Sequence, residues 1–195
     1  MKRVAQTSVC QGLENYRLKS VLRSGPKLVS ESSNLPSLVL SKIEEQVDRA
    51  GRLLDLVPPD KIEWRPLPES LRLCEVLGHL LECLAGFCAS LYAVNPEPLS
   101  HFLKLRDLPV NHCCTLEEAR ERIQVYAGCI REGFARLKDD DLVRIIPTVF
   151  VPDGEALMTI LLGNLEHFIN HKYQLFFYLK LLGVPVGTSD LYRIR

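Results

Sequence analysis

The sequence predicts an all-α protein, a four-helix bundle behind an irregular N-terminal extension, and three observations carry that expectation. Apolar residues recur near a spacing of 3.6 through four separate segments, each with its own start and stop signals. No array of alternating strands competes with them. The composition is that of an ordinary globular chain, 195 residues with 47% hydrophobic and 25% charged, enough for one sizeable core.

The elements follow in order. Residues 1–36 hold six Lys or Arg against two acids, Glu14 and Glu31, with several serines and no sustained periodicity, which predicts a flexible basic extension. Such a start also permits an organelle-targeting segment. The domain proper is expected over residues 37–195. Its first helix shows in LPSLVLSKIEEQVDRAGRLLDLV, where Leu40, Ile43, Val47, Ala50 and Leu54 share a face, and it stops at Pro58 and Pro59. After the loop PPDKIEWRPLPES, Ser70 can cap a second helix that runs to about Ala93, just before NPEP. Thr115, Leu116, Glu117 and Glu118 read as a capping box, opening a third helix that reaches about Leu137, where KDDD breaks the pattern. RIIPTVFVPDG, with β-branched residues, prolines and an Asp-Gly pair, reads as a short extended segment. The fourth helix is expected from about Glu155 to Leu182, with Gly183 as its stop and Pro185 behind it.

Composition also narrows the function. Zero net charge, and no basic stripe interleaved with aromatics, argue against nucleic acid as a partner. No uninterrupted apolar run approaches the roughly 20 residues that span a bilayer, and the N-terminus lacks the apolar core of a secretory signal. A cytoplasmic protein with no membrane partner is therefore expected. Seven cysteines, an odd number scattered among apolar neighbours without a CxxC, make neither a disulfide framework nor a cysteine zinc site. Most of them read as small core residues in a reducing compartment, and the adjacent Cys113 and Cys114 are poorly placed to bridge to each other.

Chemistry concentrates in the fourth helix. Residues 164–174 read NLEHFINHKYQ between two strongly apolar stretches. At about 100° per residue, Asn164, His167, His171, Gln174 and Tyr178 fall within roughly one quarter of the helix circumference. Such a stripe must be satisfied, because a buried polar group without a partner costs on the order of 1–3 kcal/mol. Either it is an internal hydrogen-bond network or it holds something. Histidines four apart present both rings on one face, at a separation that can chelate one first-row metal. A third ligand must come from another helix, and LCEVLGHLLECLAG offers His79, one turn from Glu75, Glu82 and Cys83. His101 and His112 lie in the connecting region, where exposure is expected. A ferritin-like di-iron site would need inward Glu-x-x-His pairs; position 164 is Asn and position 76 is Val, so that reading fails.

These residues carry a resemblance. NLEHFINHKYQLFFYLKLLGVP resembles the last helix of the DinB/YfiT-like superfamily of four-helix metalloproteins, and EWRPLPESLRLCEVLGHL is similar to that family's Trp-Arg-Pro segment leading into a helix with a single histidine. The resemblance covers about residues 37–189. It implies a four-helix bundle whose metal ligands fall on His79, His167 and His171, with zinc or nickel as the ion. Asn170 and Tyr173 depart from the family's usual His-His-Arg-Gly-Gln ending, and Tyr173 could narrow a cavity beside the site.

Three neutral imidazoles leave a divalent ion with positive charge and an open position, the arrangement of catalytic rather than structural zinc. The resemblance implies a metal-dependent transferase in which an external low-molecular-weight thiol is activated there and meets an electrophilic substrate; water in place of the thiol would make a hydrolase. It equally allows a non-catalytic, stress-associated metal-binding bundle, and it implies a homodimer. Ligand imidazoles need acceptors for their other ring N–H, and by helical spacing Glu75, Glu82 and Gln174 are the candidates. Cys83, one turn from His79, is a further candidate ligand or nucleophile.

Overall fold

Helix α1 (Leu35–Asp55) begins where the Asn34 side chain accepts the Ser37 N–H at 3.0 Å, with Pro36 in the first turn, where a missing N–H is harmless. The computed structural model describes residues 34–149 and 151–192, so the expected extension lies outside the described residues as far as residue 33. The helix starts within what the sequence assigns to that extension. Ile43, Val47, Ala50 and Leu54 face the core as the periodicity requires, while Leu40 is only half-buried.

Helix α2 (Leu73–Val94) starts later than Ser70, whose N–H instead closes a turn on the Leu67 carbonyl at 3.0 Å. Arg72 is the cap. The Glu75 carboxylate reaches back to accept the Arg72 main-chain N–H at 2.6 Å and its guanidinium at 2.9 Å. Helix α3 (Leu116–Phe134) opens on the expected capping box: Thr115 Oγ1 accepts the Glu118 N–H at 3.2 Å, and Glu118 accepts the Thr115 N–H at 2.8 Å. It ends before Leu137, because the N–H groups of Arg136 and Leu137 turn to carbonyls three residues back, each at 3.1 Å.

The segment after α3 contains more strand than an irregular extended stretch. Strand β1 (Ile145–Ile146) pairs antiparallel with β2 (Glu155–Ala156), Ile145 opposite Ala156 and Ile146 opposite Glu155. Gly154, at φ +83°, makes the approach to β2. Glu155 is therefore a strand residue, and α4 (Leu157–Leu181) begins two residues later than expected. Its end follows expectation. Gly183 takes φ +78°, its N–H bonds the Lys180 carbonyl at 3.0 Å, and the Val184 N–H bonds that of Leu179 at 2.9 Å, a Schellman closure. A one-turn helix α5 (Thr188–Leu191), not anticipated from the sequence, packs Leu191 inward.

Around the bundle the order is α1, α3, α2, α4, so α2 lies against both α3 and α4. Leu77, Leu84, Phe87 and Leu91 of α2 and Leu161, Phe168, Leu175 and Leu179 of α4 are wholly buried. Each contributes roughly 1.5–3 kcal/mol relative to exposure. Helix α2 is long and apolar enough to cross a membrane by length and composition alone, but that surface is mostly buried in the bundle. Of the aromatic residues beside the histidine stripe, Phe168 and Phe176 are buried whereas Phe177 is exposed. The connection from α2 to α3 is pinned by Asn111, wholly buried, which accepts the Tyr126 hydroxyl at 2.8 Å and donates to the Leu105 carbonyl at 3.0 Å.

Candidate metal centre

The polar stripe of α4 lies along α2. At its lower end Asn164 donates to the Cys83 carbonyl at 2.9 Å, in a gap that Gly86 leaves open: a Cβ there would stand 3.1 Å from the amide oxygen. At its upper end Tyr178 donates to the Leu71 carbonyl at 3.0 Å, with Trp64 edge-on to its ring at 5.5 Å. His167 and His171 lie between these anchors, facing His79 of α2.

One ring nitrogen from each of His79, His167 and His171 lies within 4.8 Å of the others, and the Nε2 atoms of His79 and His167 are 3.3 Å apart. Two nitrogens bound to one tetrahedral zinc at about 2.05 Å stand roughly 3.3 Å apart. Nor is the cluster a sealed core network: His167 is exposed, and His79 and His171 are half-buried. One side of it is open to solvent.

Neighbours decide how the rings are presented. Glu82 Oε2 is 2.6 Å from His79 Nδ1. A carboxylate only accepts, so Nδ1 carries the proton and the Nε2 lone pair points into the cluster. Gln174 does the same for His171: its Oε1 is 2.9 Å from Nδ1, and its amide N–H donates to the Tyr178 hydroxyl at 3.3 Å. This chain of donors fixes the amide with its oxygen toward the imidazole. Burial holds both His167 and His171 below the ordinary histidine value, and the neighbouring His79 adds to the effect. With their protons on Nδ1, His79 and His171 present Nε2 lone pairs beside a nitrogen of His167. The donor set fits a divalent metal ion.

Other residues singled out in the sequence stand elsewhere. Glu75 does not reach any histidine, because capping Arg72 occupies its carboxylate. Cys83 is buried and stands outside the cluster, and burial pushes its thiol up to about 12. Tyr173 is exposed, its ring 5.7 Å from that of Phe176. His101 and His112 are exposed, and His101 pairs with Glu132 at 3.1 Å. Sequence reasoning missed the anchoring roles of Asn164 and Tyr178, although both belong to the stripe; their acceptors are main-chain carbonyls of another helix and its approach, which leave no mark in residue type.

A helical bundle that sets one histidine of its second long helix against a His-x-x-x-His pair of its fourth defines the class: a DinB-like fold carrying a three-histidine cluster able to hold a metal ion. Among solved structures the chain is similar to a DinB-like protein, YjoA, from Bacillus subtilis, with 18% identity and a TM-score of 0.59 over 76% of this chain and 96% of that one. A conserved protein from Enterococcus faecalis gives 13% identity and a TM-score of 0.57, covering 75% and 95% of the respective chains. A mycothiol-dependent maleylpyruvate isomerase gives 14% identity and a TM-score of 0.56 over 80% of this chain, which spans 64% of that enzyme. The sequence matches no family model and no curated protein.

Proposed function

We propose that His79, His167 and His171 hold one divalent ion, zinc or nickel, and that the protein is a transferase joining an external low-molecular-weight thiol to an electrophilic substrate. The observation that carries this reading is the convergence of three imidazoles on the open side of the α2/α4 seam, two of them oriented by Glu82 and Gln174. When bound, the ion supplies positive charge that lowers the pKa of an incoming thiol at neutral pH. The remaining work belongs to the chain. Glu82 keeps the His79 proton on Nδ1, Gln174 keeps that of His171 on Nδ1, and Asn164 and Tyr178 hold α4 in register on α2. No cysteine joins the cluster among the described residues, so the nucleophilic sulfur comes from outside. The thiol dependence of the isomerase with the similar fold supports this choice over hydrolysis.

We further propose a homodimer formed through the outer face of α4, where Tyr173, Phe177 and Leu181 are each about half exposed. The first test is metal content by mass spectrometry of the native protein beside a His79/His167/His171 triple alanine variant. About one ion per chain, lost in the variant, is expected, followed by consumption of a thiol in a screen against electrophiles. Metal without thiol consumption would reduce the reading to a non-catalytic metal-binding bundle. No metal in either protein after zinc and nickel are supplied would overturn it.

A further inference from the structure

Cys74 and Cys113 are separated by the whole length of α2 and the connection that follows, yet their Sγ atoms stand 2.7 Å apart. That is only about 0.7 Å longer than a disulfide bond. The two differ in access: Cys74, the second residue of α2, is buried, and Cys113, three residues before α3 begins, is exposed.

The main chain holds them there. The Cys114 N–H donates to the Cys74 carbonyl at 3.3 Å. One turn further along α2, Gly78 lets the connection lie directly on the helix: a Cβ at that position would stand 2.5 Å from the His112 carbonyl carbon and 2.6 Å from the Cys113 nitrogen. Buried Asn111 ties down the same connection just before it reaches Cys113. Bringing the sulfurs into bonding distance therefore asks for side-chain rotation and no rearrangement of helices.

We propose that Cys74 and Cys113 are a reversible disulfide-forming pair, a modification site for hydroperoxides that is separate from the histidine cluster. Cys113, the exposed thiol, meets the oxidant. Its sulfur, as thiolate, attacks one peroxide oxygen, the O–O bond breaks, and the other oxygen leaves as water after taking up a proton; Cys113 becomes a sulfenic acid. The Cys74 thiol then gives up its proton and its sulfur attacks that of Cys113, breaking the S–O bond and releasing a second water. Two thiols lose two electrons and two protons, and one hydrogen peroxide becomes two waters. Burial raises the Cys74 thiol above its ordinary value, and so do its hydrogen bond to Cys113 and the charge there. Arg72 acts in the opposite direction, favouring the Cys74 thiolate, and Glu63 opposes it. The bond would clamp the connection onto the first turn of the helix that carries His79.

The test uses the full-length protein with whatever metal it carries, treated with hydrogen peroxide, blocked with N-ethylmaleimide and cleaved after Lys, Arg and Glu. Cleavage leaves Cys74 in Leu73–Glu75 and Cys113 in Asp107–Glu117. The two peptides are expected as one linked species that dithiothreitol separates and that the Cys113→Ser variant does not form. In Cys74→Ser, oxidation should stop at a Cys113 sulfenic acid that dimedone traps. The proposal is overturned if native Cys113 proceeds to sulfinic acid while Cys74 remains open to alkylation after denaturation. It is equally overturned if Cys113 links to a second chain, or if both thiols are blocked as in untreated protein. Metal content plays no part in the readout, so this result and the assignment of the histidines stand or fall separately.

Discussion

The seam between α2 and α4 is lined by nitrogen donors that face one another, whereas the seam between α1 and α3 is lined by charges that have already found partners. The second seam has the room: a groove of about 580 Å³ floored by Ile43, Val47, Ile123 and Ile130. At its rim Glu44 meets Arg131 at 3.3 Å, Asp55 meets Arg120 at 3.0 Å and Asp48 meets Arg52 at 3.2 Å. Among the described residues, each charged side chain lining the groove has an ion-pair partner. The first seam includes none of that volume, yet one ring nitrogen of each of its three imidazoles lies within 4.8 Å of the others. Volume marks where something could fit; converging nitrogen atoms mark where a metal ion could be held.

The contrast can be broken by substitutions that should act on one seam alone. Ile123→Ala, in the groove floor and nearly inaccessible, is expected to cost about 2–5 kcal/mol of stability in a denaturant titration while metal content stays at that of the native protein. His167→Ala should do the reverse. Its side chain is exposed, so the melting temperature of the metal-free protein should hardly move, but stoichiometric metal should vanish. Full metal content in that variant would remove His167 from the ligand set.

Smaller effects sharpen the same comparison. Glu82→Ala leaves every proposed ligand in place and frees the His79 proton to shift, which should weaken metal affinity about 10- to 100-fold in a chelator competition. Acid should act on the histidine seam in a defined direction. His167 and His171 titrate below the unfolded histidine value, so between the two values the unfolded chain binds more protons than the folded one. Stability of the metal-free protein should therefore fall as pH drops through about 6.5 and level off below the folded values. A flat stability profile from pH 7 to pH 5 would contradict the lowered titration of these two rings. Arg120→Ala, which removes one exposed ion pair of the groove, should change stability by no more than about 1 kcal/mol and leave metal binding alone.

Periodicity made the stripe on α4 readable, because residues separated by three and four positions must share a face. The capping box at Thr115 and the glycine stop at Gly183 were readable for a similar reason: their signals lie within one turn of chain. Choices between nearby equals were not. Glu75 and Glu82 both lie within about a turn of His79, and only the path by which the chain enters α2 at Arg72 draws Glu75 away to cap the helix. Ser70 has a good capping side chain but sits in the turn before that entry. The pairing of Ile145–Ile146 with Glu155–Ala156 is too short to leave an alternating pattern, and the approach of Cys113 to Cys74 depends on the bare surface at Gly78, a contact between distant parts of the chain.

Both anchors of the α4 stripe end on main-chain oxygens, the carbonyls of Cys83 and Leu71. Every amino acid supplies such an oxygen. Drift in the side chains at positions 71 and 83 therefore leaves the acceptors intact, while Asn164 and Tyr178 have few substitutes that could reach them. A library randomised at these four positions and selected for retained metal should come back diverse at exposed position 71, limited by core packing to small apolar residues at position 83, and nearly invariant at the two donors. The clamp that aligns the helices thus spreads its vulnerability unequally: its hydrogen bonds can be lost by side-chain substitution on α4 alone.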